Sequence, residues 1–348
     1  MQTTPAISII VPTYNTGRYL PLLCESLLAQ SCGDFEVLIG DDGSTDNTRE
    51  VIAPFLTDPR FHLHSWTENR GLAAANKTLL SMVRGEFWCS PGADDLLRPD
   101  FLEKRLARMK AHPKAIIIHG PPEIIDEEGR VLAGQKLPQP AEPVVAGERA
   151  LEQLLQHNTY NVPGIFSRSN ALPRVLPHFT TAWRYAPDWF LWILLAATGG
   201  EVVWDPEPLH SYRVHSKSLT LDPAYDAHRG AEIRLAPMCA LRAAGAYSEI
   251  ARRLWEKWGR ALYALWLRRS VKLRMSGQLQ PRWVELGARA MHAGFENPPS
   301  WWREVIRCAP EMLRYSLAES RARKSQSFYV AGLAMVDDPV FRNHAATS

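Results

Sequence analysis

The chain has 348 residues, of which 46% are hydrophobic and 22% charged. That composition builds a large buried core and excludes a disordered, fibrous or disulfide-stapled scaffold. The 40 Lys and Arg against 37 Asp and Glu leave a formal charge of +3, too weak a field to point to a nucleic-acid partner.

The opening MQTTPAISIIVP has neither a basic leader nor a long apolar run, so no secretory signal is expected. AISIIVP (6–12) is a β-branched run that predicts a buried strand. RYLPLLCESLLAQ (18–30) predicts a helix, with Leu20, Leu23, Leu27 and Leu28 at helical spacing. FEVLIG (35–40), RFHLHSW (60–66) and EFWCS (86–90) read as three more strands; TREVIAPFL (48–56) and GLAAANKTLLSMV (71–83) read as the helices between them. Strand–helix alternation at this spacing predicts an α/β fold with a mostly parallel sheet and helices on both faces. Ligands of such sheets bind beyond the carboxyl ends of the strands. Each predicted strand is followed by a polar cluster: TYN (13–15), DDGSTD (41–46), ENRG (68–71) and GADD (92–95). All four clusters therefore belong on one rim.

Further along, AIIIHG (115–120) predicts a strand and IIDEEGRVL (124–132) a hairpin turning at Gly129. KLPQPAEPVVAGE (136–148) is Pro-rich and reads as a mobile loop. VPGIFSRS (162–169) predicts a strand, and PDWFLWILLAATGG (187–200) a helix beginning at Asp188 or Trp189 and stopped by Gly199. EVVW and PLHSYRVH add two strands. The best membrane candidate, FLWILLAA (190–197), is far short of the roughly 18 apolar residues of a spanning helix. From about Tyr225 the composition turns helical and rich in Arg, Trp and Ala. Residues 1–225 are thus expected to form the α/β unit and 226–348 a helical appendage for packing, ligand or membrane-surface contact. Within the appendage, 251–275 is a basic amphipathic stretch that suits either a helix packed on the α/β unit or an interfacial helix on anionic lipid, with packing slightly preferred. Cys24, Cys32, Cys89, Cys239 and Cys308 are odd in number and form no CxxC pair, so reduced, packed thiols are expected. These features together fit a cytoplasmic protein, either free or peripheral at the inner face of the plasma membrane.

The ordered set ISIIVPTYNTGRYLPLLCESLLAQSCGDFEVLIGDDGSTDNT, NRGLAAANKTLLSMVRGEF, GADDLLRP, PDWFLW and YRVHSKSLT resembles the inverting glycosyltransferases of family 2 over about residues 6–220. The resemblance implies the Rossmann-like GT-A fold, a nucleotide-diphosphate-sugar donor (UDP- or dTDP-sugar), a Mg²⁺ or Mn²⁺ ion, and a glycan, lipid-linked or protein acceptor. It places Pro12, Thr13, Tyr14, Asn15, Asp41 and Asp42 at the nucleoside, Asp94 and Asp95 at metal and ribose, and Asp188 as the catalytic base. The family's metal motif commonly reads Asp-x-Asp-Asp, whereas this chain reads Gly92-Ala93-Asp94-Asp95, which leaves open which carboxylate holds the metal.

The residue chemistry suits these roles. A departing nucleoside diphosphate gains negative charge, which a divalent cation held by one or two carboxylates offsets. A lone Asp-Asp pair reads first as a helix cap or Asx turn; inside this ordered set the metal and ribose role is favoured for Asp94 and Asp95. Asp42 can accept from a base N–H or ribose hydroxyls, and it is the better nucleoside candidate of the 41–42 pair. Asp188, at a helix start, can take a proton from an acceptor hydroxyl or can serve only as a cap. Asn69 and Gly71 are expected to border the nucleotide. Arg213 and His215 can reach diphosphate or metal, although each is more often a structural residue. Two other classes compete. A degenerate relative would bind nucleotide, glycan or partner without turnover, a reading kept alive by Gly92. A sugar-phosphate nucleotidylyltransferase would need a Gly-rich basic loop after the first strand, and PTYNTGRY has no lysine and one glycine.

Overall fold

A computed structural model describes residues 4–132, 140, 142–156, 158, 160, 162–216, 218 and 236–257. The first six elements follow the expected alternation: β1 (Ile7–Thr13), α1 (Leu20–Leu28), β2 (Phe35–Asp41), α2 (Thr48–Ile52), β3 (Phe61–Ser65) and α3 (Leu72–Ser81). β4 (Phe87–Cys89), β5 (Leu96–Leu97), α4 (Phe101–Ala111), β6 (Ala115–His119) and β7 (Glu123–Ile125) come next. After them lie β8 (Val144–Ala146), α5 (Gly147–Gln156), β9 (Phe166–Arg168), α6 (Leu172–Val175), α7 (Pro187–Ala196), β10 (Glu201–Trp204) and β11 (His210–Arg213).

Among the described residues the strands form a large sheet, in the order β3-β2-β1-β4-β9-β6-β10-β8, and a small one, β5-β11-β7. In the large sheet β9 and β8 run antiparallel to their neighbours and the other pairings are parallel. A parallel strand covered on both faces tolerates almost no polar side chain, and β2 is buried along its whole length. One core fills one face, with Leu20, Leu23 and Leu27 of α1 and Phe101, Leu102 and Met109 of α4. The other face carries α3, α5, α6 and α7, together with Met238, Leu241 and Leu254. Residues 236–244 and 249–257 are helical and belong to this second core, so this part of the C-terminal region packs on the large sheet.

Several elements depart from expectation for physical reasons. The α1 seam runs through Cys24 instead of Leu28, which is 41% exposed because it falls one position past the buried face. The second helix ends at Ile52 and tightens into a 3₁₀ turn at Ala53–Thr57, where Pro54 has no N–H to continue the ladder. The expected loop 136–148 contains an edge strand: Val144, Val145 and Ala146 pair with Val203, Val202 and Glu201, and α5 begins at Gly147. The hairpin at 124–132 forms as expected, with an Ile125–Val131 bridge and Gly129 at φ 84°. α7 is apolar all round because it is enclosed by the core, and no helix among the described residues is long and apolar enough to cross a membrane. Cys24, Cys32, Cys89 and Cys239 are free thiols. The boundary at 225 and Cys308 lie outside the described residues, as does 251–275 beyond residue 257. Within 251–257, Ala251 and Leu254 are buried while Arg253 pairs with Glu148, as a packed helix requires.

Candidate active site

Parallel register fixes where the polar clusters meet. Thr13 pairs with Asp41, and Asp41 with Ser65, so β1, β2 and β3 end on one line. The loops beyond that line are stitched together. Asn15 adopts φ 53°; its Oδ1 accepts the Thr45 N–H at 2.8 Å, and its own N–H donates to Ser44 Oγ at 2.9 Å. Gly43, at φ 76°, lies against the Glu68–Asn69 backbone, where a Cβ would come within 2.8 Å. Only glycine fits there on both counts. Thr13 is buried, while Tyr14 remains 45% exposed beside it.

Asp41 and Asp42 are both buried, and each has partners within the chain. Asp41 accepts the Ser44 N–H at 3.0 Å and pairs with Arg49, which also reaches the Trp66 carbonyl. Asp42 accepts the Arg70 N–H at 2.9 Å and the Gly71 N–H at 2.7 Å, one on each carboxylate oxygen. Asn69 Oδ1 also accepts the Gly71 N–H, at 3.0 Å, and Gly71 starts α3 at φ 90°. Asp42 thus holds the third loop against the second. Each of its oxygens retains a lone pair for a further donor.

After β4 the chain turns through Gly92, and Asp95 N–H donates to the Gly92 carbonyl at 3.1 Å. A side chain at position 92 would drive its Cβ into the Asp95 carboxylate and to within 2.8 Å of Asp94 Oδ1. The adjacent pair thus folds over this glycine, and both carboxylates would have to turn aside to admit a side chain there. Asp95 is buried, and Oδ1 accepts the Arg213 N–H at 2.9 Å. Burial, with the Asp94 charge beside it, holds the Asp95 carboxyl well above the usual carboxylate range. Asp94 keeps a 31% exposed side chain, and its Oδ2 lies 2.9 Å from His215 Nε2. His215 rests on Tyr19, with ring centroids 4.8 Å apart.

The structure gives Arg213 a framework position where the sequence suggested a nucleotide contact. Its side chain is buried, its Nε donates to the Asp94 carbonyl at 2.8 Å, and its Nη1 donates to the carbonyls of Asp126 and Glu127 at 3.0 Å. Its guanidinium carbon lies 5.0 Å from the Tyr19 ring centroid. A guanidinium engaged with three main-chain carbonyls welds β7, β11 and the Asp94–Asp95 turn into one unit.

Asp188 lies in the first turn of α7. The other end of that helix meets the start of β6, where Glu201 N–H donates to the Lys114 carbonyl at 2.9 Å. The first turn therefore faces the edge where the parallel strands end. The same edge carries His119 at the end of β6 and Trp204 at the end of β10, which are register partners, and Tyr160 lies 4.2 Å from His119 between ring centroids. Burial, with the Arg105 charge nearby, pushes His119 down to about 3, so this imidazole is neutral. The Asp188 carboxylate is half-buried; burial raises it above the ordinary range, opposed by N–H groups at Asp188 and Trp189 and by the Asn158 amide, whose Nδ2 donates to Oδ2 at 3.0 Å.

The fold thus brings the sequence-predicted residues of the first four loops to one edge, with Asp188 on that edge across the sheet. Sequence reasoning missed Arg49, Tyr19 and Asn158. Arg49 could have been found as the cation that directly follows DDGSTDNT; the other two carry no local signal. Among the described residues, no group of three or more His, Cys, Asp or Glu side chains is arranged to hold an ion unaided.

Residues 8–176 match the model of the family described as Glycosyl transferase family 2. An uncharacterized glycosyltransferase of Nostoc sp. is 30% identical over 232 residues, covering 63% of this chain and 67% of the relative. A chondroitin synthase of Escherichia coli is 31% identical over 134 residues, 38% of this chain, and the match spans only 19% of that relative's length. Among solved structures, S. aureus TarS 1–349 in complex with UDP-GlcNAc has a TM-score of 0.60 at 18% identity and 93% coverage of both chains. A mannosyltransferase of Pyrobaculum calidifontis in complex with GDP-Man and Mn²⁺ has a TM-score of 0.50 at 18% identity, covering 90% of this chain and 88% of that one. Taken with the register-aligned loops and the mostly parallel sheet, these matches show that the chain belongs to glycosyltransferase family 2 and has the GT-A fold.

Proposed function

We propose that the protein transfers a sugar from a UDP- or dTDP-sugar to an acceptor hydroxyl with inversion, and that Asp188 is the general base. The observation that carries this reading is the Asp188 carboxylate at the head of α7, on the strand-end edge that also carries the Asp42 and Asp94–Asp95 loops. Asp188 accepts the proton of the acceptor hydroxyl as that oxygen bonds to the anomeric carbon. The bond from that carbon to the diphosphate breaks on the opposite face, which inverts the configuration. A carboxylate raised above its ordinary range is a stronger base than a solvated one. Asp42, with Thr13, Tyr14 and Asn15, borders the nucleoside, and the free lone pairs of Asp42 suit the imide N–H of uracil or thymine. The UDP-GlcNAc complex of TarS, a protein of the same fold, supports a uridine donor.

The Asp94–Asp95 turn fits a divalent cation in part. Asp94 offers a partly exposed carboxylate, His215 an imidazole 2.9 Å from it, and Asp95 a second carboxylate. Oxygen ligands from one or two carboxylates, completed by diphosphate and water, are what Mg²⁺ or Mn²⁺ takes in phosphate chemistry. When bound, the ion would offset the charge growing on the leaving diphosphate. The Mn²⁺ complex of the mannosyltransferase supports this assignment.

The test is Asp188→Asn, assayed for UDP or dTDP release from a panel of UDP- and dTDP-sugars and for UDP binding by calorimetry with and without Mn²⁺. A positioned base contributes roughly 10²–10⁴-fold, so kcat should fall by that factor while UDP affinity stays within about twofold. Near-normal turnover would reduce Asp188 to a helix-start carboxylate.

A further inference from the structure

The base-bearing end of α7 is latched at two consecutive residues, one to the last turn of α5 and one to Asn158 just after it. Trp189 Nε1 donates to the Leu154 carbonyl at 2.7 Å, in the last turn of α5. One residue earlier on α7, Asp188 Oδ2 accepts from Asn158 Nδ2 at 3.0 Å. The Asn158 amide is itself oriented: its Oδ1 accepts the Tyr160 N–H at 3.4 Å, which turns Nδ2 toward Asp188. Tyr160 is buried and packed on His119, so the amide is backed by the sheet edge.

We infer that Asn158 is a positioning residue for the base, its amide fixing the Asp188 carboxylate in place and favouring its ionised form. The inference rests on Asp188 being the base. A neutral amide donor is suited to this task. It stabilises a carboxylate by one hydrogen bond without the charge of an Arg or Lys, which would depress basicity much further. No charged side chain among the described residues contributes to the shift at Asp188. The ionisable groups of α5 are engaged elsewhere: Glu148 with Arg253, Arg149 with Glu142, and Glu152 with Lys257. On the chain leading into α7, Arg184 stacks over Tyr185. Tyr160, pushed up by burial, stays neutral. The Asn158 amide is therefore the adjustable polar contact of the base, since the other hydrogen bonds come from main-chain N–H groups.

The test uses the full chain and two variants, Asn158→Ala and the nearly isosteric Asn158→Asp, with Asp188→Asn as reference. The acid limb of kcat/KM is followed as UDP or dTDP release from the same sugar-nucleotide panel, alongside UDP binding with Mn²⁺ and thermal melting. Loss of the donor disfavours the carboxylate, so in Asn158→Ala the acid limb should move up by about one pH unit while UDP affinity stays within about twofold. Asn158→Asp keeps the size and sets a like charge against the base, so its limb should move further in the same direction. Acid limbs that coincide with the wild type in a folded Asn158→Asp variant overturn the inference, even if Asn158→Ala fails to fold. If Asp188→Asn loses turnover and the limbs do not move, the base assignment stands and Asn158 is only a tie between segments. If Asp188→Asn keeps turnover, the base reading fails and this inference fails with it.

Discussion

Replacing Arg213 with alanine should damage the fold more directly than it damages nucleotide recognition. The substitution strips donors from the carbonyls of Asp94, Asp126 and Glu127 and removes a cation from the face of Tyr19. A buried acceptor left without its donor costs about 1–3 kcal/mol, and partial rehydration at the half-buried 126–127 turn lowers that cost. With the Tyr19 contact included, a total of about 3–5 kcal/mol is expected, a large part of the roughly 5–15 kcal/mol that keeps a domain folded. At a few degrees per kcal/mol for a chain of this size, the melting temperature should drop by roughly 10 °C. Arg213→Lys should be nearly as unstable, because one ammonium cannot span the carbonyls the fork reaches. Differential scanning fluorimetry of both variants, with UDP calorimetry beside it, separates two accounts of this residue. If both variants melt within about 2 °C of the wild type while UDP affinity falls tenfold, Arg213 works as a diphosphate contact and the framework reasoning is wrong.

Gly92→Asp, which would restore the family's commoner motif, should weaken Mn²⁺-dependent UDP binding and lower stability by about 1–3 kcal/mol, since the Asp94 and Asp95 carboxylates must turn aside to admit its Cβ. Calorimetry with and without Mn²⁺ checks this, and a gain in affinity would mean the turn can refold around a third carboxylate. Asp42→Ala releases the Arg70 and Gly71 N–H groups and removes the proposed imide acceptor, so UDP affinity should fall at least tenfold, or about 1.4 kcal/mol. Unchanged affinity in a folded variant would leave Asp42 as a purely architectural brace.

The strand-end edge was legible because two signals coincide in the first ninety or so residues. Apolar β-branched runs such as ISIIV and FEVLI mark strands covered on both faces, and the polar residues that follow each run can only lie where the strand ends. Beyond residue 112 that grammar weakens. VPGIFSRS, PLHSYRVH and the 124–132 hairpin still read through, and they form β9, β11 and β7. But β8, like β5 before it, is only two or three residues long, too short for periodicity to show, and its identity rests on partners far away in sequence. Gly92 reads in the sequence as a loss within a motif; only the structure shows that the two carboxylates fold over it. The sequence suggests that Arg213 can reach diphosphate, but its fork is directed at carbonyls, and carbonyls leave no trace in a sequence. Asn158 and Tyr19 act through contacts of the same kind. An asparagine between helices and an aromatic at a helix start are ordinary residues until their neighbours are known.

The small sheet also sets an order of events during synthesis. The loops proposed to border the nucleotide come from the first seventy or so residues and are joined by short connections, so they can form while most of the chain is still emerging. The Asp94–Asp95 turn is completed by Arg213, whose N–H meets Asp95 across 118 residues of sequence, and by His215, which meets Asp94 across 121. Closing so long a loop is slow and is rewarded only at the end. A nascent or prematurely terminated chain would therefore present a nucleotide-shaped edge with its paired carboxylates still unfastened. Such a fragment would resemble the enzyme in its loops without being able to act on an activated sugar.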